Sequence, residues 1–162
     1  MAHRMDEEGT TLVALFVAMR ENGPICEEVP AHSLGGDRYE LLSSPGLALN
    51  LARGDIVEIG DGAVPATVVE RGGNFCIHVY ADDIPAQAVV DLERDVGEQL
   101  HGTLDGTYRG NLALTVPASA GMPAICRVFD AFTETTGLQW YFANIYLNFE
   151  DVEDETLLDW WE

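Results

Sequence analysis

Short apolar segments separated by glycine turns occupy most of the first seventy residues of the chain. The segments cover residues 10–19, 31–34, 38–42, 55–59 and 66–70, and several alternate polar with apolar residues. Alternation with a period of two, bounded by glycine-rich turns, is typical of β-strands. Four or five strands this short cannot form an open sheet with a covered face. A small curled barrel of the SH3-like kind buries them best.

After residues 71–74 the pattern changes to a mixture of strands and helices. The first helix is expected to have Asp83 as N-cap and Pro85 in its first turn, and Gly137 should end the second. The predicted order is strand–helix–strand–strand–helix–strand, the split βαβ arrangement of ferredoxin-like folds. The predicted elements are a strand over 75–80, a helix after 83, strands over 103–109 and 112–116, a helix from about 122, and a strand over 138–147.

These patterns together predict an α+β protein with two packed regions. A small SH3-like β region spans 1–72, a ferredoxin-like region with two helices spans 73–148, and an acidic C-terminal tail spans 149–162. The Phe75 strand should lie between the last strand and the Leu112 strand, with both helices on one face. One core should then contain Phe75, Ile77, Val79, Val89, Leu92, Leu112, Leu114, Val116, Ile125 and Phe129.

The charge of the chain is strongly negative. Of its 162 residues, 28 are acidic and eight are basic, all eight being arginine, for a formal net charge of −20. Phosphate binding needs clustered lysine or arginine, so we expect no binding to DNA, RNA or anionic membranes. No run reaches the roughly 20 apolar residues of a membrane span. The three cysteines are odd in number and scattered, which favours free thiols and a cytoplasmic location.

Two short motifs carry a family resemblance. Residues 34–39 read Leu-Gly-Gly-Asp-Arg-Tyr, and residues 53–58 read Arg-Gly-Asp-Ile-Val-Glu. With the early apolar strand and the spacing to the split βαβ half, they resemble a bacterial family known as domain of unknown function 4265. The resemblance covers roughly residues 10–147 and leaves the acidic tail outside. It implies a fold and a bacterial origin, and it brings no catalytic residues with it.

Cys76 and His78 are candidates for a chemical role. They lie two apart on a predicted strand and so share a face, with Tyr80 next in line. They could be metal ligands, or a thiol nucleophile and its base. Two ligands without a second pair are too few for a closed zinc site, and a lone cysteine or histidine is more often structural. We therefore predict no metal, no cofactor and no catalytic residue.

Aromatic side chains dominate the last predicted strand. Trp140, Phe142, Asn144 and Tyr146 share one face of it, and an exposed aromatic sheet face is how many RNA-binding domains stack bases. Because Arg109 alone could flank those rings, the charge argues against RNA. We expect the N-terminal region to cover this face; the alternative is a homodimer or partner surface.

The acidic tail combines carboxylates with tryptophan. Seven of its last thirteen residues are acidic and none is basic. A charge run is most often a solvated surface, yet tryptophan is enriched at binding hot spots. The tail could dock on its own domain or contribute to a partner surface. The candidate partner-binding residues are Asp151, Glu153, Asp154, Glu155, Asp159, Trp160 and Trp161.

Three functions are compatible with these features. The first is a non-enzymatic acidic binding protein, such as an immunity protein or inhibitor that neutralises a basic bacterial toxin, because an acidic surface is steered towards basic clefts. The second is a small-ligand-binding or regulatory domain, by analogy of fold. The third is an enzyme with an unrecognised site, which would need carboxylates of raised pKa in a cleft beside Cys76 or His78.

Overall fold

The computed structural model describes residues 9–108 and 110–162, and it is an α+β structure with two antiparallel sheets and two long helices. Arg109, which the sequence analysis placed at the end of a strand and near the aromatic face, lies outside the described residues.

The N-terminal sheet has five strands in the same order as the chain. Each strand pairs antiparallel with the next, and a bulge falls at Val17 in the first. The predicted strands of this half are confirmed, but the second begins earlier than its sequence pattern indicated. The strands are β1 (Thr10–Arg20), β2 (Gly23–Gly35), β3 (Arg38–Leu41), β4 (Ile56–Glu58) and β5 (Thr67–Glu70).

The C-terminal sheet has four antiparallel strands in the order β7-β8-β6-β9. The predicted position of the Phe75 strand, between the last strand and the Leu112 strand, is confirmed. The elements of this half are β6 (Asn74–Val79), α1 (Ala86–Leu100), β7 (Thr103–Tyr108), β8 (Asn111–Pro117), a short 3₁₀ turn (Ala118–Ala120), α2 (Met122–Thr136) and β9 (Trp140–Phe142).

Both helices pack in one core with a single face of this sheet. Phe75, Ile77 and Val79 of β6 are buried there with the predicted residues of β8 and of the helices, except Val89, which is only partly buried. Gly137 ends α2 with a left-handed φ of 76°, as predicted.

The prediction that Asp83 caps α1 is wrong. Pro85 occupies the N-cap position, and no side chain there makes a capping hydrogen bond. The first turn gains from Pro85 a fixed φ that suits a helix start.

The last strand is much shorter than the predicted 138–147, because the Asn144 side chain takes over the pairing with β6. Its Oδ1 accepts a hydrogen bond from the Cys76 backbone N–H at 3.0 Å, and its Nδ2 donates to the Asn74 carbonyl at 3.0 Å. Those two peptide groups can no longer pair with strand backbone, so the ladder stops and the chain turns away.

The two faces of β9 are assigned differently from the sequence expectation. Trp140 and Phe142 pair with Val79 and Ile77 and therefore lie on the helix side, partly buried against the core. The opposite face carries Tyr141 and is covered by the loop between β3 and β4, residues 42–55. In that loop Asn50 donates its backbone N–H to the Ala143 carbonyl at 2.8 Å. A loop of the N-terminal half thus covers the face of Tyr141, whereas the face that it was expected to cover carried Trp140, Phe142, Asn144 and Tyr146.

Candidate functional site

The C-terminal tail is docked on its own domain. The Trp160 ring lies 5.0 Å from the Phe75 ring between centroids, and the Trp161 ring lies 5.7 Å from it. The Trp160 indole N–H donates to the Asn144 carbonyl at 3.0 Å. Phe75 belongs to the helix-side core, so both indoles extend that core at its edge.

Backbone hydrogen bonds close the tail into a compact loop. The Leu147 N–H donates to the Thr156 carbonyl at 2.8 Å, and the Leu158 N–H donates to the Ile145 carbonyl at 2.7 Å. Tyr146 and Leu157 form a bridge between these bonds. Residues 145–158 therefore form a loop whose two ends are held together by backbone hydrogen bonds, and this loop carries most of the tail carboxylates.

The tail carboxylates point to solvent from this loop. Asp151, Glu153, Glu155 and Asp159 are exposed, and Asp154 is half-buried. Hydrogen bonds from Thr156 hold the pKa of Asp154 below its usual value. All the candidate residues therefore come together in one segment, in which the tryptophans are the anchors and the carboxylates form the accessible surface.

A buried ion pair lies beneath the tail. Asp55 is fully buried and accepts hydrogen bonds from Arg71 at 3.3 Å and from the backbone N–H groups of Ala52 and Gly72. Burial raises the pKa of Asp55, while the Gly72 amide and the Arg71 guanidinium oppose that shift. Arg71 also lies under the Trp160 ring, 5.8 Å from its centroid, which is cation–π distance. This pair joins the N-terminal half to the tail.

Cys76 and His78 are fully buried beneath the β3–β4 loop. The His78 Nε2 atom lies 2.6 Å from the Pro45 carbonyl oxygen and 3.3 Å from the Cys76 sulfur. Because a carbonyl only accepts, Nε2 carries the proton and cannot take one from the thiol. Burial raises the pKa of Cys76 and lowers that of His78. The pair is a neutral thiol beside a neutral imidazole, an arrangement unsuited to nucleophilic catalysis.

This geometry predicts unequal reactivity for the three thiols, all of which are free. Exposed Cys26 should react with an aromatic disulfide reagent in the folded protein, whereas Cys76 should react about 100-fold more slowly or only on unfolding. Stopped-flow thiol titration of the wild type and of the Cys26→Ser, Cys126→Ser double variant, in which Cys76 is the remaining thiol, measures this with and without denaturant. Rapid modification of the native double variant would contradict the assignment of Cys76 as a structural residue.

A cleft of about 460 Å³ lies between the two sheets. Asp105 crosses it, accepting hydrogen bonds from the Ser44 backbone N–H at 2.8 Å and from the Thr115 hydroxyl at 2.6 Å. On the other wall the Glu27 carboxylate accepts three backbone N–H groups of residues 46–48. These bonds fix the β3–β4 loop, and they leave an acidic, partly apolar cleft large enough for a small molecule.

The family resemblance is confirmed by comparison with known proteins. A model of the family described as domain of unknown function 4265 (DUF4265) matches residues 27–140. The chain belongs to the DUF4265 family. A comparison of the sequence with curated proteins found no match.

One solved structure resembles this DUF4265 chain. It is the crystal structure of a hypothetical protein from Neisseria gonorrhoeae, 16% identical in sequence, with a TM-score of 0.58. The similarity covers 86% of this chain and 96% of the other. At that level of identity the likeness concerns the fold alone.

The described residues contain neither a cluster of metal ligands nor a candidate membrane-spanning helix. Within residues 9–108 and 110–162, no group of three or more histidine, cysteine, aspartate or glutamate side chains could hold a metal ion. Over the same ranges, no helix has both the length and the apolar character to cross a membrane.

Sequence reasoning missed the polar residues that hold the β3–β4 loop and join it to the C-terminal sheet. Ser44, Asp105 and Glu27 were not singled out, and Asp55 was noted only within a predicted strand and a family motif. Several of their partners are distant along the chain, up to 71 positions away for Ser44 and Thr115. A pair of glycines is the local sign of the buried ion pair. Gly54 precedes Asp55 and Gly72 follows Arg71, and a Cβ on Gly72 would collide with the Gly54 backbone.

Proposed function

We propose that this DUF4265 protein is a non-enzymatic, cytoplasmic binding protein whose acidic surface captures a basic protein partner, such as a bacterial toxin that it neutralises. The observation that carries the proposal is the docked tail. Its exposed carboxylates, Asp151, Glu153, Glu155 and Asp159, lie on a segment closed by backbone hydrogen bonds and anchored by Trp160. A fixed array of charge loses less conformational entropy on binding than a mobile tail does.

The tail charge is also available to a partner. The ion pairs among the described residues involve Arg38, Arg71 and Arg94, and none includes a tail carboxylate. The net charge of −20 adds a long-range field that accelerates the approach of cations. The Cys76–His78 geometry weighs against the enzyme alternative, since neither group is ionised or accessible.

The test compares two variants that lose the same charge. One neutralises the tail (Asp151→Asn, Glu153→Gln, Asp154→Asn and Glu155→Gln). The control neutralises Asp82, Asp83, Glu93 and Glu98, four exposed carboxylates at and before α1, in the same way. With an octa-arginine peptide as probe, association at low salt should be about fivefold slower for the tail variant than for the control.

Surface-binding kinetics over a salt series measure these rates. The difference between the variants should shrink as salt rises, and their unfolding curves should match that of the wild type, because exposed charges contribute little to stability. Equal slowing of both variants would assign the attraction to net charge and contradict a tail-centred surface.

A second candidate function is supported by the cleft between the sheets. Its volume of about 460 Å³ falls in the usual range for small-ligand sites, and Glu27, Asp105 and Ser44 provide fixed polar groups. The acidic lining would suit a small molecule with an amino group. This is the small-ligand-binding or regulatory alternative, with the ligand placed where the two halves meet.

Two fold assignments accompany the proposal. We assign the four-stranded half to the ferredoxin-like type, supported by its strand order and by both helices packing on one face. We assign the five-stranded half to the SH3-like type, supported by five consecutive antiparallel strands, the last three of which have only three or four residues. Ferredoxin-like halves serve many functions, so these assignments do not decide among them.

A further inference from the structure

Two neighbouring cavities form an apolar groove between the N-terminal sheet and the tail. One has a volume of about 500 Å³ and the other about 270 Å³. Three residues, Leu49, Phe149 and Val152, line both, so the cavities are adjacent. Val152 is 95% exposed, an unusual position for a valine on an ordered loop.

One wall of the groove is the end of β1. Residues 16–19 line the larger cavity, and Met19 is 56% exposed. β1 is an edge strand: it pairs with β2 on one side, and the described part of the chain places no strand on the other. An edge of this kind offers peptide groups to an added strand, which is a common way of binding an extended peptide.

The rim of the groove is acidic. Glu150 lines the larger cavity, and Asp151, Asp154 and Glu155 line the smaller one. No described lysine or arginine lines either cavity. The groove therefore joins an apolar floor to a row of carboxylates, and this combination suits a side chain with an apolar stem and a cationic end.

We propose that this groove binds an extended segment of a basic protein in which apolar residues alternate with arginine or lysine. The inference rests on the proposed function and names the part of the partner that the tail surface would receive. Apolar side chains would enter the groove while basic ones meet the rim, because neighbouring side chains of a strand point to opposite sides. A second copy of this chain is a poor occupant, since it would bring its own charge of −20 to an acidic rim.

The test uses three synthetic octapeptides that alternate valine with arginine, glycine with arginine, and valine with glutamate. The first two carry the same charge, so their difference reports apolar contact. At about 150 mM salt the valine–arginine peptide should bind about tenfold more tightly than the glycine–arginine peptide, and the valine–glutamate peptide should not bind. Fluorescence anisotropy of labelled peptides gives the affinities.

The outcomes separate this inference from the proposed function. Equal affinity for the two arginine peptides would overturn the groove and leave electrostatic capture standing. Failure of both arginine peptides to bind, even at low salt, would overturn both proposals. Binding of the valine–glutamate peptide would show that the acidic rim does not select the ligand, which also contradicts the inference.

A pair of matched variants locates the contact. Met19→Ser with Val152→Ser removes exposed apolar groups from the groove, whereas Val69→Ser with Val90→Ser removes exposed apolar groups elsewhere. The groove variant should bind the valine–arginine peptide about fivefold more weakly than the wild type, and the control should bind it normally. An equal loss in both variants, or no loss in the groove variant, would overturn the assignment of the site.

Discussion

Replacing Asp55 with alanine should lower the free energy of unfolding by about 3–5 kcal/mol, the usual cost of removing one partner from a buried ion pair. Asp55 is fully buried, and its carboxylate accepts hydrogen bonds from Arg71 and from two backbone N–H groups. The substitution leaves those amides without their acceptor and the largely buried guanidinium without its counter-ion. Urea unfolding followed by circular dichroism measures the change.

The chain provides a matched control for this experiment. Glu58 also pairs with an arginine, Arg38, at 3.2 Å, but both side chains are about half exposed. Glu58→Ala should cost no more than about 1 kcal/mol, because solvent screens such pairs. Similar costs for Asp55→Ala and Glu58→Ala would show that the buried pair stabilises the fold no more than an exposed pair does.

The contrast between these two pairs shows what the sequence could and could not predict. The alternation of residues 55–59 is a local pattern, and it correctly placed β4. Two of the partners of Asp55, Arg71 and Gly72, lie beyond the β4–β5 hairpin, and no local pattern in the sequence indicates them. Periodicity predicts which side of an element is apolar, and it does not say which distant polar group will meet a buried carboxylate.

The C-terminal sheet shows the same limit at the end of a strand. The alternation in β6 and β8 gave the correct core face, and the register Ile77–Leu114 confirms it. Residues 138–147 are equally apolar and aromatic, so composition favoured a long strand. The strand ends early because the side-chain amide of Asn144 makes hydrogen bonds to β6. Strand propensity does not predict such an effect of a single residue.

The tail was the least predictable segment, because its anchors act at long range. Its seven carboxylates predicted a solvated surface, and its two tryptophans predicted burial, either on its own domain or against a partner. Phe75, which receives both indoles, lies some eighty positions earlier and had already been assigned to the helix-side core. The sequence therefore did not determine whether the tail docks on its own domain, whereas the packing of both indoles against Phe75 shows that it does.

Trp160→Ala should consequently destabilise the fold by about 3 kcal/mol, near the lower end for removal of a large aromatic side chain because the indole is only partly buried. The substitution removes the ring contact with Phe75, the cation–π contact with Arg71 and the hydrogen bond to the Asn144 carbonyl. Trp160→Phe is the matched control: it keeps one aromatic ring and loses the N–H donor and part of the packed area of the indole, so it should cost less, about 1–2 kcal/mol.

The same variant tests whether tail order matters for binding. Trp160→Ala leaves every carboxylate in place, so a purely electrostatic attraction for octa-arginine would be unchanged. If docking of the tail holds its carboxylates in an arrangement that favours binding, Trp160→Ala should bind octa-arginine more weakly. The comparison is made under conditions in which the variant is fully folded. Amide hydrogen exchange of Leu147 and Leu158, whose N–H groups close the tail loop, should accelerate in parallel. Faster exchange with unchanged affinity would separate the two roles, making Trp160 a residue of stability alone.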